Sequence, residues 1–569
     1  MKHRNIAKTR TIIKQGYIPE SFISFYRAQL VPSILSDSLF DSMISKFRES
    51  LNIVIRIIKF DISHKISEEL SEFINSQPSL ECEKLNFLGD QFGEIYRLNI
   101  DNPKLRREQE LQSFREWLML NTRFGNIVRQ EFVSMIPSFF LDLKKSFRVL
   151  DCCASPGSKT SQIINYICDG LLVANDVNIN RCFTLAHTLR KFDTTRSLVI
   201  AHPAQYLPLK IGKFDRILCD VPCSGDGTLR KNPDAVLNWS PRNGELLHDL
   251  QRAILIRALK LLEIGGKLVY STCSLNPIED EAVINSTLLG MKNSVRLLNC
   301  RNEFPNLVCS NGLTSWKVIV TGEEKDTMKP NPQIKNLEYC MRFFPHQNDS
   351  GGFFVAVLQK DKEVDDIEEP KLAHKPLSNW KEPPFVKLSF VSPQVIEALH
   401  EDYGLIDDFI DDHLYVRAED NVNNIYYLSK DVKNIVDRIK SNELRAVLCG
   451  TRIFTWKMLN DKSSVRAVPC LEGINIVKKF ITKRILNVTP DEMKLLISSK
   501  QEGIPINMLN NYQLIMDEKP GGCLFTIPNT NISYGGMLLK DKAIVYIKKE
   551  LIEFEIYKLW KLYPNINKF

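Results

Sequence analysis

The sequence predicts an α/β protein whose central part is a doubly wound sheet with helices on both faces. From about Phe147 the chain alternates short, apolar, β-type runs with segments of helical length. Such alternation is typical of buried, mostly parallel strands that are joined by helices. The β-type runs are FRVLD (147–151), LLVAN (171–175), SLVIA (197–201), FDRILCD (214–220), GKLVYS (266–271), SWKVIV (315–320) and GFFVAVL (352–358). The last two runs have no obvious long helix between them, so we expect an antiparallel hairpin at one edge of the sheet.

The regions on either side of this core differ from it in pattern. We interpret residues 1–19 as a basic tail, 20–146 as a mainly helical N-terminal accessory region with a few strands, and 147–360 as the core. Residues 361–384 are charged and carry four prolines, which predicts a linker. Residues 385–569 combine short β-type runs with helical stretches, which predicts an appended α/β or β-rich module.

Length and composition place the chain among ordinary globular proteins. Its 569 residues are too many for one hydrophobic core, and 44% hydrophobic with 25% charged residues is the usual balance of a globular protein in water. We find no apolar run of about 18 residues, and the first residues lack the apolar stretch and cleavage site of a signal peptide. We therefore expect an intracellular protein that does not enter a membrane.

The 14 cysteines follow no disulfide-like spacing and include no C-x-x-C pair. This pattern argues against a secreted disulfide scaffold and against a zinc ribbon. We expect reduced thiols and no bound metal.

Basic residues are in mild excess and cluster at the N-terminus. Lys plus Arg number 75 against 68 Asp plus Glu, which permits a nucleic-acid partner without requiring one. The residues Lys2, Arg4, Lys8, Arg10 and Lys14 all precede the first acidic residue. Such a segment can contact phosphate or serve as a nuclear address, although a solvated tail has the same composition. We expect a nuclear protein, with the nucleolus and the cytoplasm as alternatives.

The first predicted strand runs into a loop of small residues, DCCASPGSKTSQI (151–163). Such a loop lets backbone N–H groups approach a ligand, and the helix that follows favours negative charge at its N-terminus. The loop is neither a P-loop nor a G-x-G-x-x-G dinucleotide motif. The second strand ends at Asp176, whose carboxylate can accept both hydroxyls of a ribose. Together these features predict a nucleoside-containing cofactor without a pyrophosphate cradle, which S-adenosylmethionine fits better than NAD.

Two cysteines follow predicted strands farther along the chain. Cys223 stands shortly after the fourth strand, which ends at Asp220, and Cys273 follows the fifth. The residues after Cys273, NPIEDE (276–281), predict a helix that starts at Pro277 with an acidic first turn. A single cysteine is usually a small buried apolar residue. Because the carboxyl ends of strands in a doubly wound sheet line one crevice, both thiols and the carboxylate are predicted to share a cleft.

Methylation of a weakly nucleophilic aromatic carbon would require such a group of residues. Carbon 5 of cytosine attacks a methyl donor poorly until a thiolate adds to carbon 6, so the reaction needs a nucleophilic cysteine. Asp220 could stabilise the adduct through the exocyclic amine, and a second group such as Cys223 could assist departure of the proton and of the enzyme thiol.

These motifs resemble those of the Sun-domain RNA cytosine-5 methyltransferases, and the eukaryotic tRNA branch is the most similar. The motifs are DCCASPGSKT (151–160), ILCDVPCSGDGTLRKNPD (217–234) and YSTCSLNPIEDEAVI (270–284), with GNIVRQEFVSMIP (125–137) and CMRFFPHQNDSGGFFVAVL (340–358) outside the catalytic loops. The resemblance covers roughly residues 20–360. It implies a Rossmann-like, S-adenosylmethionine-dependent methyltransferase core.

The resemblance also implies roles for particular residues. Cys273 would be the nucleophile and Cys223 would help to release the product, whereas the DNA enzymes use the Pro-Cys thiol as nucleophile. Asp220 would meet the cytosine and also take part in binding the cofactor, and Asp176 would hold the ribose. The residues expected to wrap the cofactor are Cys153, Ala154, Ser155, Pro156, Gly157, Ser158 and Lys159.

One position departs from the family pattern. The family usually has an Asp after the third strand that contacts the adenine amine, but this chain has Pro203 there. His202 or Gln205 could take over that contact. Loss of one such hydrogen bond would weaken cofactor binding by only about 0.5 to 1.5 kcal/mol, so we do not infer inactivity.

RNA is the partner that the resemblance implies, and tRNA is the expected substrate. Arg230 and Lys231 are expected to contact RNA phosphate, although a solvated charge run has the same composition. The accessory regions could add contacts, because basic residues are scattered among apolar ones in 426–440 and 477–485. Alternatives are the same chemistry on rRNA or mRNA, or a non-catalytic RNA-binding or assembly factor. The intact cysteines argue against the non-catalytic alternative, and we expect a monomer.

Overall fold

A computed structural model describes residues 16–59, 63–77, 79–320, 322, 324–364, 367, 369–370, 372, 380–417, 423–458, 465–510 and 520–563. The N-terminal basic residues from Lys2 to Lys14 lie outside these described residues. Among the described helices, none is long and apolar enough to cross a membrane. In the same residues there is no group of three or more His, Cys, Asp or Glu that could hold a metal ion.

The N-terminal region joins a small antiparallel sheet to helices. Its helices are α1 (Glu20–Leu30), α2 (Asp37–Phe47), α3 (Ser63–Ser76), α4 (Asn102–Arg107), α5 (Gln112–Phe124) and α6 (Phe132–Phe139). Its strands are β1 (Asn52–Ile57), β2 (Cys82–Lys84), β3 (Glu94–Asp101) and β4 (Ile127–Arg129), in the order β2-β3-β1-β4. The apolar face of α1 packs Phe22 and Tyr26 against Trp239 of the central part, with ring centroids 4.9 and 5.9 Å from the indole. Helix α1 is therefore packed against the central part of the chain at Trp239.

The central part is built on one large twisted sheet. Its strands are β5 (Arg148–Asp151), β6 (Leu171–Asn175), β7 (Ser197–Ile200), β8 (Phe214–Asp220), β9 (Leu262–Thr272), β10 (Val295–Leu297), β11 (Ser310–Asn311), β12 (Met341–Phe343) and β13 (Phe353–Lys360). Its helices are α7 (Ser158–Tyr166), α8 (Ile179–Leu189), α9 (Arg242–Leu261), α10 (Glu281–Gly290) and α11 (Pro345–Asn348).

The strand order confirms the predicted doubly wound sheet. Strands β9, β8, β5, β6 and β7 are neighbours in that order and pair in parallel. The chain therefore winds outward in one direction from β5 to β7 and in the other from β8 to β9. Ligands bind at such a switch point, outside the carboxyl ends of the strands. Here those ends belong to β5 and β8.

Alternate side chains of these strands enter two different hydrophobic cores. Leu150 faces a core on one side of the sheet, and its neighbour Val149 faces a core on the other side. Leu172 and Val173 of β6 alternate in the same way. Burial on both faces explains why these strands read as continuous apolar runs in the sequence.

The predicted antiparallel hairpin is wrong in one of its two strands. Residues 315–320 are described but form no strand, and Trp316 instead buries its ring and donates its indole N–H to Met328 O over 2.8 Å. The antiparallel partner of β13 on that side is β12, and β13 also pairs antiparallel with β9. An apolar, β-branched run can thus belong to packed coil, because burial rather than sheet pairing selects its composition.

The C-terminal part contains two further sheets. Its first strands are β14 (Phe385–Lys387), β15 (Leu414–Arg417), β16 (Asn424–Tyr427), β17 (Ala446–Cys449), β18 (Thr451–Met458) and β19 (Val465–Pro469). The last strands are β20 (Ile485–Asn487), β21 (Ile504–Pro505), β22 (Gly521–Thr526), β23 (Ser533–Leu538) and β24 (Lys542–Val545). The helices are α12 (Pro393–Tyr403), α13 (Asp407–His413), α14 (Lys430–Arg438), α15 (Ser441–Leu444), α16 (Ile474–Val477), α17 (Pro490–Ser498) and α18 (Lys549–Leu562).

One strand of the C-terminal part completes the central sheet. Strand β17 pairs antiparallel with the edge strand β7, and Cys449 lies opposite Leu198. The Ala201 N–H donates to Arg445 O over 3.1 Å, and the Gly450 N–H donates to Ser197 O over 2.9 Å. The sequence gives no sign of this pairing. It covers an edge that would otherwise expose unpaired backbone groups.

The last helix returns to the N-terminal region. Tyr557 of α18 donates its hydroxyl to Glu69 over 2.6 Å, and Trp117 donates its indole N–H to the same carboxylate over 2.8 Å. Phe554 stacks on Phe124 with ring centroids 4.2 Å apart. The last helix is thus packed against α3 and α5 of the N-terminal region.

Candidate active site

The loop after β5 brings a lysine to the switch point. Gly157 has a φ of +108°, and a Cβ there would lie 3.0 Å from Leu185, so glycine allows the loop to pass α8 closely before α7 begins. Lys159 on the first turn of α7 donates to Asp220 Oδ2 over 2.7 Å. Burial acts to lower the pKa of Lys159, but the carboxylate of Asp220 outweighs this effect and the pKa is raised. The lysine is therefore a cation paired with the carboxylate at the end of β8.

Asp176 lies directly after β6, and its side chain is buried. Its Oδ1 accepts the Asn178 N–H over 3.0 Å, and its Oδ2 lies 3.2 Å from an Arg181 nitrogen. These contacts hold the carboxylate at the rim of the cavity described below. A carboxylate has about four acceptor positions, so Asp176 retains capacity for the two hydroxyls of a ribose.

The thiols of Cys223 and Cys273 are close neighbours, although 50 positions separate them in sequence. Their Sγ atoms lie 3.2 Å apart, and either thiol can donate to the other. Both side chains are only partly buried. The hydrogen bond to Cys273 and burial raise the pKa of Cys223 well above its ordinary value. Cys223 therefore holds its proton while the two sulfurs remain close.

The serines that follow the two cysteines share one buried carboxylate. Glu279 Oε1 accepts the Ser224 hydroxyl over 2.5 Å and the Ser274 hydroxyl over 2.8 Å. Its Oε2 accepts the Ser224 N–H over 2.8 Å and the amide of Gln251 over 3.1 Å. Burial raises the pKa of Glu279 to about 7, and the neighbouring Asp226 acts in the same direction.

A second buried carboxylate supports the same loops. Asp226 accepts the Leu275 N–H over 2.8 Å and also the hydroxyl of Tyr26 from α1. The Gly227 N–H donates to Cys273 O over 2.9 Å. The loop after β8 and the loop after β9 are therefore joined by several hydrogen bonds, and α1 contacts their buried side.

A cavity of about 310 Å³ opens at the carboxyl ends of β5, β6 and β8. Its volume is at the lower end of the roughly 300 to 1,000 Å³ typical of small-molecule sites. Residues that line it include Cys153, Ser155, Asp176, Val177, Pro203, Gln205, Asp220, Cys223, Leu250, Ile254 and Cys273. Largely apolar walls that also carry the carboxylates of Asp176 and Asp220 fit a ligand that combines a nucleoside with a cationic amino-acid tail. The residues present thus fit S-adenosylmethionine.

Only part of the predicted cofactor loop lines the cavity. Cys153 and Ser155 line the cavity, whereas Ala154 and Gly157 are buried and Pro156 is exposed. Ser158 begins α7, and the Lys159 amine is directed to Asp220. Which of these residues contact a bound cofactor stays a prediction.

The two candidates for the adenine contact differ in availability. His202 is buried, and its Nε2 donates to Leu444 O over 3.0 Å. Burial lowers the pKa of His202 to about 4. Gln205 lines the cavity next to Pro203. Of the two, only Gln205 is placed to meet a ligand there.

The expected phosphate contact of Arg230 is wrong. Its guanidinium is buried and donates to Ser350 O, Ser50 O and Asp349, each over 2.8 to 2.9 Å. Arg230 therefore joins the loop after β8 to the end of α2 and to the loop before β13. Only its neighbour Lys231 is exposed. Lys231 lines a groove of about 370 Å³ together with Asn52, Asp101, Arg129 and Glu131.

The predicted start of the helix after Cys273 is also displaced. Helix α10 begins at Glu281, and residues 277–280 form a turn. Its acidic residues do not face solvent: Glu279, Asp280 and Glu281 are all fully buried. Glu281 Oε1 accepts the Nε of Arg342 over 2.7 Å, and Arg342 also donates to Leu275 O over 2.8 Å. The three acidic residues that predict a helix N-terminus in the sequence are therefore part of a buried hydrogen-bond network in the structure.

Four residues of the site were not predicted from the sequence, namely Tyr26, Asp226, Gln251 and Glu279. Glu279 and Asp226 stand within the motifs that carry the resemblance, so their position beside the two cysteines was a usable signal. Tyr26 and Gln251 come from helices far away in sequence. Only the tertiary structure brings them to the loops.

Comparison with known proteins agrees with this geometry. The family described as "16S rRNA methyltransferase RsmB/F" matches residues 138–359, and the "NSUN2 Pre-PUA domain" matches residues 385–482. A "Multisite-specific tRNA:(cytosine-C(5))-methyltransferase" of Saccharomyces cerevisiae is 31% identical, over 76% of this chain and 71% of its own length. The corresponding trm4b enzyme of Schizosaccharomyces pombe is also 31% identical, over 72% of this chain and 74% of its own. This chain belongs to the RsmB/F family of RNA cytosine-5 methyltransferases.

Two further similar proteins match a smaller share of this chain. A "tRNA (cytosine(34)-C(5))-methyltransferase" of Drosophila melanogaster is 32% identical over 71% of this chain, and the match spans 64% of the fly protein. The solved structure of "NSun6 from Pyrococcus horikoshii with SFG" is 19% identical, with a TM-score of 0.42 over 60% of this chain and 98% of that one. Membership of the RsmB/F family confirms the resemblance seen in the sequence, and the family is one of S-adenosylmethionine-dependent methyltransferases.

Proposed function

We propose that this protein methylates carbon 5 of cytosine in tRNA, with S-adenosylmethionine as the methyl donor. The observation that carries the proposal is the pair of partly buried thiols, Cys223 and Cys273, 3.2 Å apart at one crevice with Asp220. The names of the fly and yeast relatives support tRNA as the substrate class.

Cys273 is the nucleophile of this proposal. Its thiolate forms a carbon–sulfur bond to carbon 6, and the electron pair of the 5,6 double bond becomes available at carbon 5. Ser271 and Lys159 donate to Asp220 over 2.8 and 2.7 Å and fix its carboxylate. In that position Asp220 accepts a hydrogen bond from the exocyclic amine and orients the base.

Cys223 completes the reaction. After methyl transfer it removes the proton from carbon 5, and that electron pair restores the 5,6 double bond and expels Cys273 as a thiolate. While Cys273 is a free thiolate, the hydrogen bond between the sulfurs keeps Cys223 protonated. Once Cys273 is bonded to carbon 6, it no longer carries the charge that raises the pKa of Cys223, so Cys223 gives its own proton to solvent water more readily and becomes the thiolate that accepts the proton of carbon 5.

The cofactor would occupy the cavity that begins at Asp176. Bound S-adenosylmethionine supplies an electrophilic methyl group. Asp176 would accept the ribose hydroxyls, and Cys153 and Ser155 would lie beside the ligand. Gln205 would meet the adenine edge where the family usually has an Asp.

RNA would approach through the groove that holds Lys231. Arg129 and Lys231 supply positive charge there, and Asn52 adds an amide. Such groups suit phosphate and sugar contacts, which position an RNA without reading its sequence. An rRNA substrate is the second candidate, because the family description that matches the core names 16S rRNA.

Transfer of tritium from labelled S-adenosylmethionine to bulk tRNA tests the proposed function. We expect label in tRNA and not in rRNA, and 5-methylcytosine after digestion. Labelled rRNA with unlabelled tRNA would overturn the substrate, and no transfer to either RNA by folded, cofactor-binding protein would overturn the activity.

Two cysteine variants test the assigned roles. Cys223→Ala should still attack but fail to release, leaving a protein–RNA complex that survives denaturing electrophoresis. Cys273→Ala and the double variant should form no such complex. The reverse pattern would make Cys223 the nucleophile.

Nuclear localisation and the monomeric state remain our proposals. A fluorescent fusion with and without residues 1–19 tests the first, and light scattering of the purified chain tests the second. Cytoplasmic signal from the full fusion would contradict the nuclear proposal.

A further inference from the structure

The side chain of Glu279 is fully buried and contacts the residue that follows each of the two cysteines. It accepts four hydrogen bonds, two of them from Ser224, one from Ser274 and one from Gln251. No ion pair to Glu279 occurs among the described residues, and the nearest charged group acting on it is another acid, Asp226. A buried carboxylate without a cation is costly, so its position calls for a reason beyond packing.

The partners of Glu279 point to that reason. Ser224 directly follows Cys223, and Ser274 directly follows Cys273. Both serine hydroxyls bind the same oxygen, Oε1, and their Oγ atoms lie 3.1 Å from each other. A single carboxylate oxygen therefore fixes the two residues that directly follow the reactive cysteines.

The proposed reaction requires such a fixed distance. Carbons 5 and 6 of cytosine are bonded neighbours, and the two sulfurs must act on these two atoms in turn. The strands alone leave the loops after β8 and β9 free to separate, because Cys223 lies three residues beyond the end of β8. Beside the Gly227–Cys273 and Asp226–Leu275 hydrogen bonds, the bonds to Glu279 restrict that freedom at the residues that directly follow both thiols.

We propose that Glu279 is the positioning residue of the thiol pair: by binding both following serines, it holds Cys223 and Cys273 at the separation that lets product release follow attack. Glu279 itself touches neither the cytosine nor the cofactor in this assignment. The kinetic part of the inference rests on the proposed function, whereas the geometric part does not.

The geometric part is tested without RNA or cofactor. In the full-length chain, diamide takes two electrons and two protons from a close thiol pair, which becomes a disulfide while diamide is reduced to the hydrazine. We expect Glu279→Ala to slow formation of the Cys223–Cys273 disulfide, followed by peptide mass spectrometry, by about tenfold or more, because small displacements strongly reduce effective concentration. Glu279→Gln should give an intermediate rate, since its amide oxygen still accepts from the serine hydroxyls.

A matched control separates positioning from general stability. Glu281→Gln removes an equally buried carboxylate two residues away that binds Arg342 rather than the serines. It should lower the unfolding temperature while leaving the rate of disulfide formation nearly unchanged. If Glu279→Ala does not fold, the Ser224→Ala, Ser274→Ala double variant tests the same contact and should slow disulfide formation similarly. An unchanged rate in either folded variant would overturn the inference.

The kinetic part uses tRNA and S-adenosylmethionine. Glu279→Gln should slow release more than attack, so the covalent protein–RNA complex should accumulate although Cys223 is present. A general loss of structure would lower attack and release together and would not enrich the complex. If no variant ever forms the complex while the disulfide rates still differ as expected, the proposed function fails and the positioning role stands. If the complex forms in Cys223→Ala but never in Glu279→Gln at reduced turnover, the positioning role in release fails.

Discussion

Lys159 donates to Asp220 over 2.7 Å and thereby joins the loop after β5 to the end of β8. Its amine also lies 5.2 Å from the centre of the Phe353 ring. The amine therefore meets the end of β8 through Asp220 and the start of β13 through Phe353. Lys159 is expected from the sequence to bind the cofactor, but in the structure it is the partner of Asp220, the carboxylate that is expected to meet cytosine.

The first prediction follows from this pair. Lys159→Met keeps the aliphatic length but removes the cation, so Asp220 loses the charged donor that fixes it. We expect methyl transfer to fall by about 10- to 150-fold, which corresponds to the roughly 1.5 to 3 kcal/mol of a charged hydrogen bond. S-adenosylmethionine affinity should change less than turnover. A large loss of affinity with normal turnover at saturating cofactor would instead assign Lys159 to the cofactor.

The second prediction concerns Asp176. Asp176→Ala should weaken S-adenosylmethionine binding by about 10- to 150-fold, because charged hydrogen bonds contribute roughly 1.5 to 3 kcal/mol. Calorimetry on the purified chain measures this change. Asp176→Asn is the matched variant, since it retains an acceptor for the Asn178 N–H that the carboxylate binds over 3.0 Å. Equal dissociation constants for the wild type and the alanine variant would contradict the ribose contact.

The third prediction concerns pH and Glu279. Its folded pKa of about 7 lies above the ordinary unfolded value of about 4.3, so the folded chain holds the proton more tightly. The resulting stabilisation is complete below about pH 4 and is lost as the pH rises through 7. Glu279→Gln does not titrate. The wild type should therefore lose its advantage over this variant between about pH 4 and pH 7, by an amount on the order of 3 kcal/mol.

Chemical unfolding of both proteins across that pH range measures the difference. Asp151, whose pKa burial also raises to about 7, is present in both proteins and cancels. Of the groups that face Glu279, Ser224, Ser274 and Gln251 do not titrate in this range, whereas Asp226 does, because burial raises its pKa. The measured difference therefore includes the change in Asp226 that follows loss of its acidic neighbour. A constant difference at every pH would mean that Glu279 remains ionised in the folded chain.

The parts of this protein that could be predicted from the sequence are those that follow general rules of parallel α/β sheets. Apolar runs with helices between them predicted β5 to β9, because strands buried on both faces must be apolar. The positions of Cys223 and Cys273 after such strands predicted their meeting, since carboxyl ends of parallel strands share an edge. These inferences needed only local pattern and the topology of a doubly wound sheet.

Contacts between distant segments could not be predicted in this way. Nothing in the local pattern of Arg230 distinguishes a buried ion pair with Asp349 from a phosphate contact, because both use the same charge. The acidic segment around Glu279 is typical of an exposed first helical turn, yet tertiary packing buries this residue. Strand β17 has no partner nearby in sequence, so its pairing with β7 depends on where the whole C-terminal part docks.

The last prediction separates that docking from RNA binding by the C-terminal part. If the basic residues of the C-terminal part contact RNA phosphate, removal of the residues after about 385 should lower tRNA affinity and flatten its salt dependence. The structure adds a second effect, because the same deletion removes β17 and the two carbonyls, Leu444 O and Arg445 O, that bind His202 and Ala201. These residues directly precede Pro203 at the cavity. We therefore expect truncation after residue 384 to weaken S-adenosylmethionine binding and lower the unfolding temperature. Truncation after residue 482 keeps β17 and should leave cofactor affinity nearly unchanged, so any fall in its slope of log tRNA affinity against log salt reports lost phosphate contacts. Equal cofactor affinities for both truncations and the full chain would mean that β17 does not support the cavity.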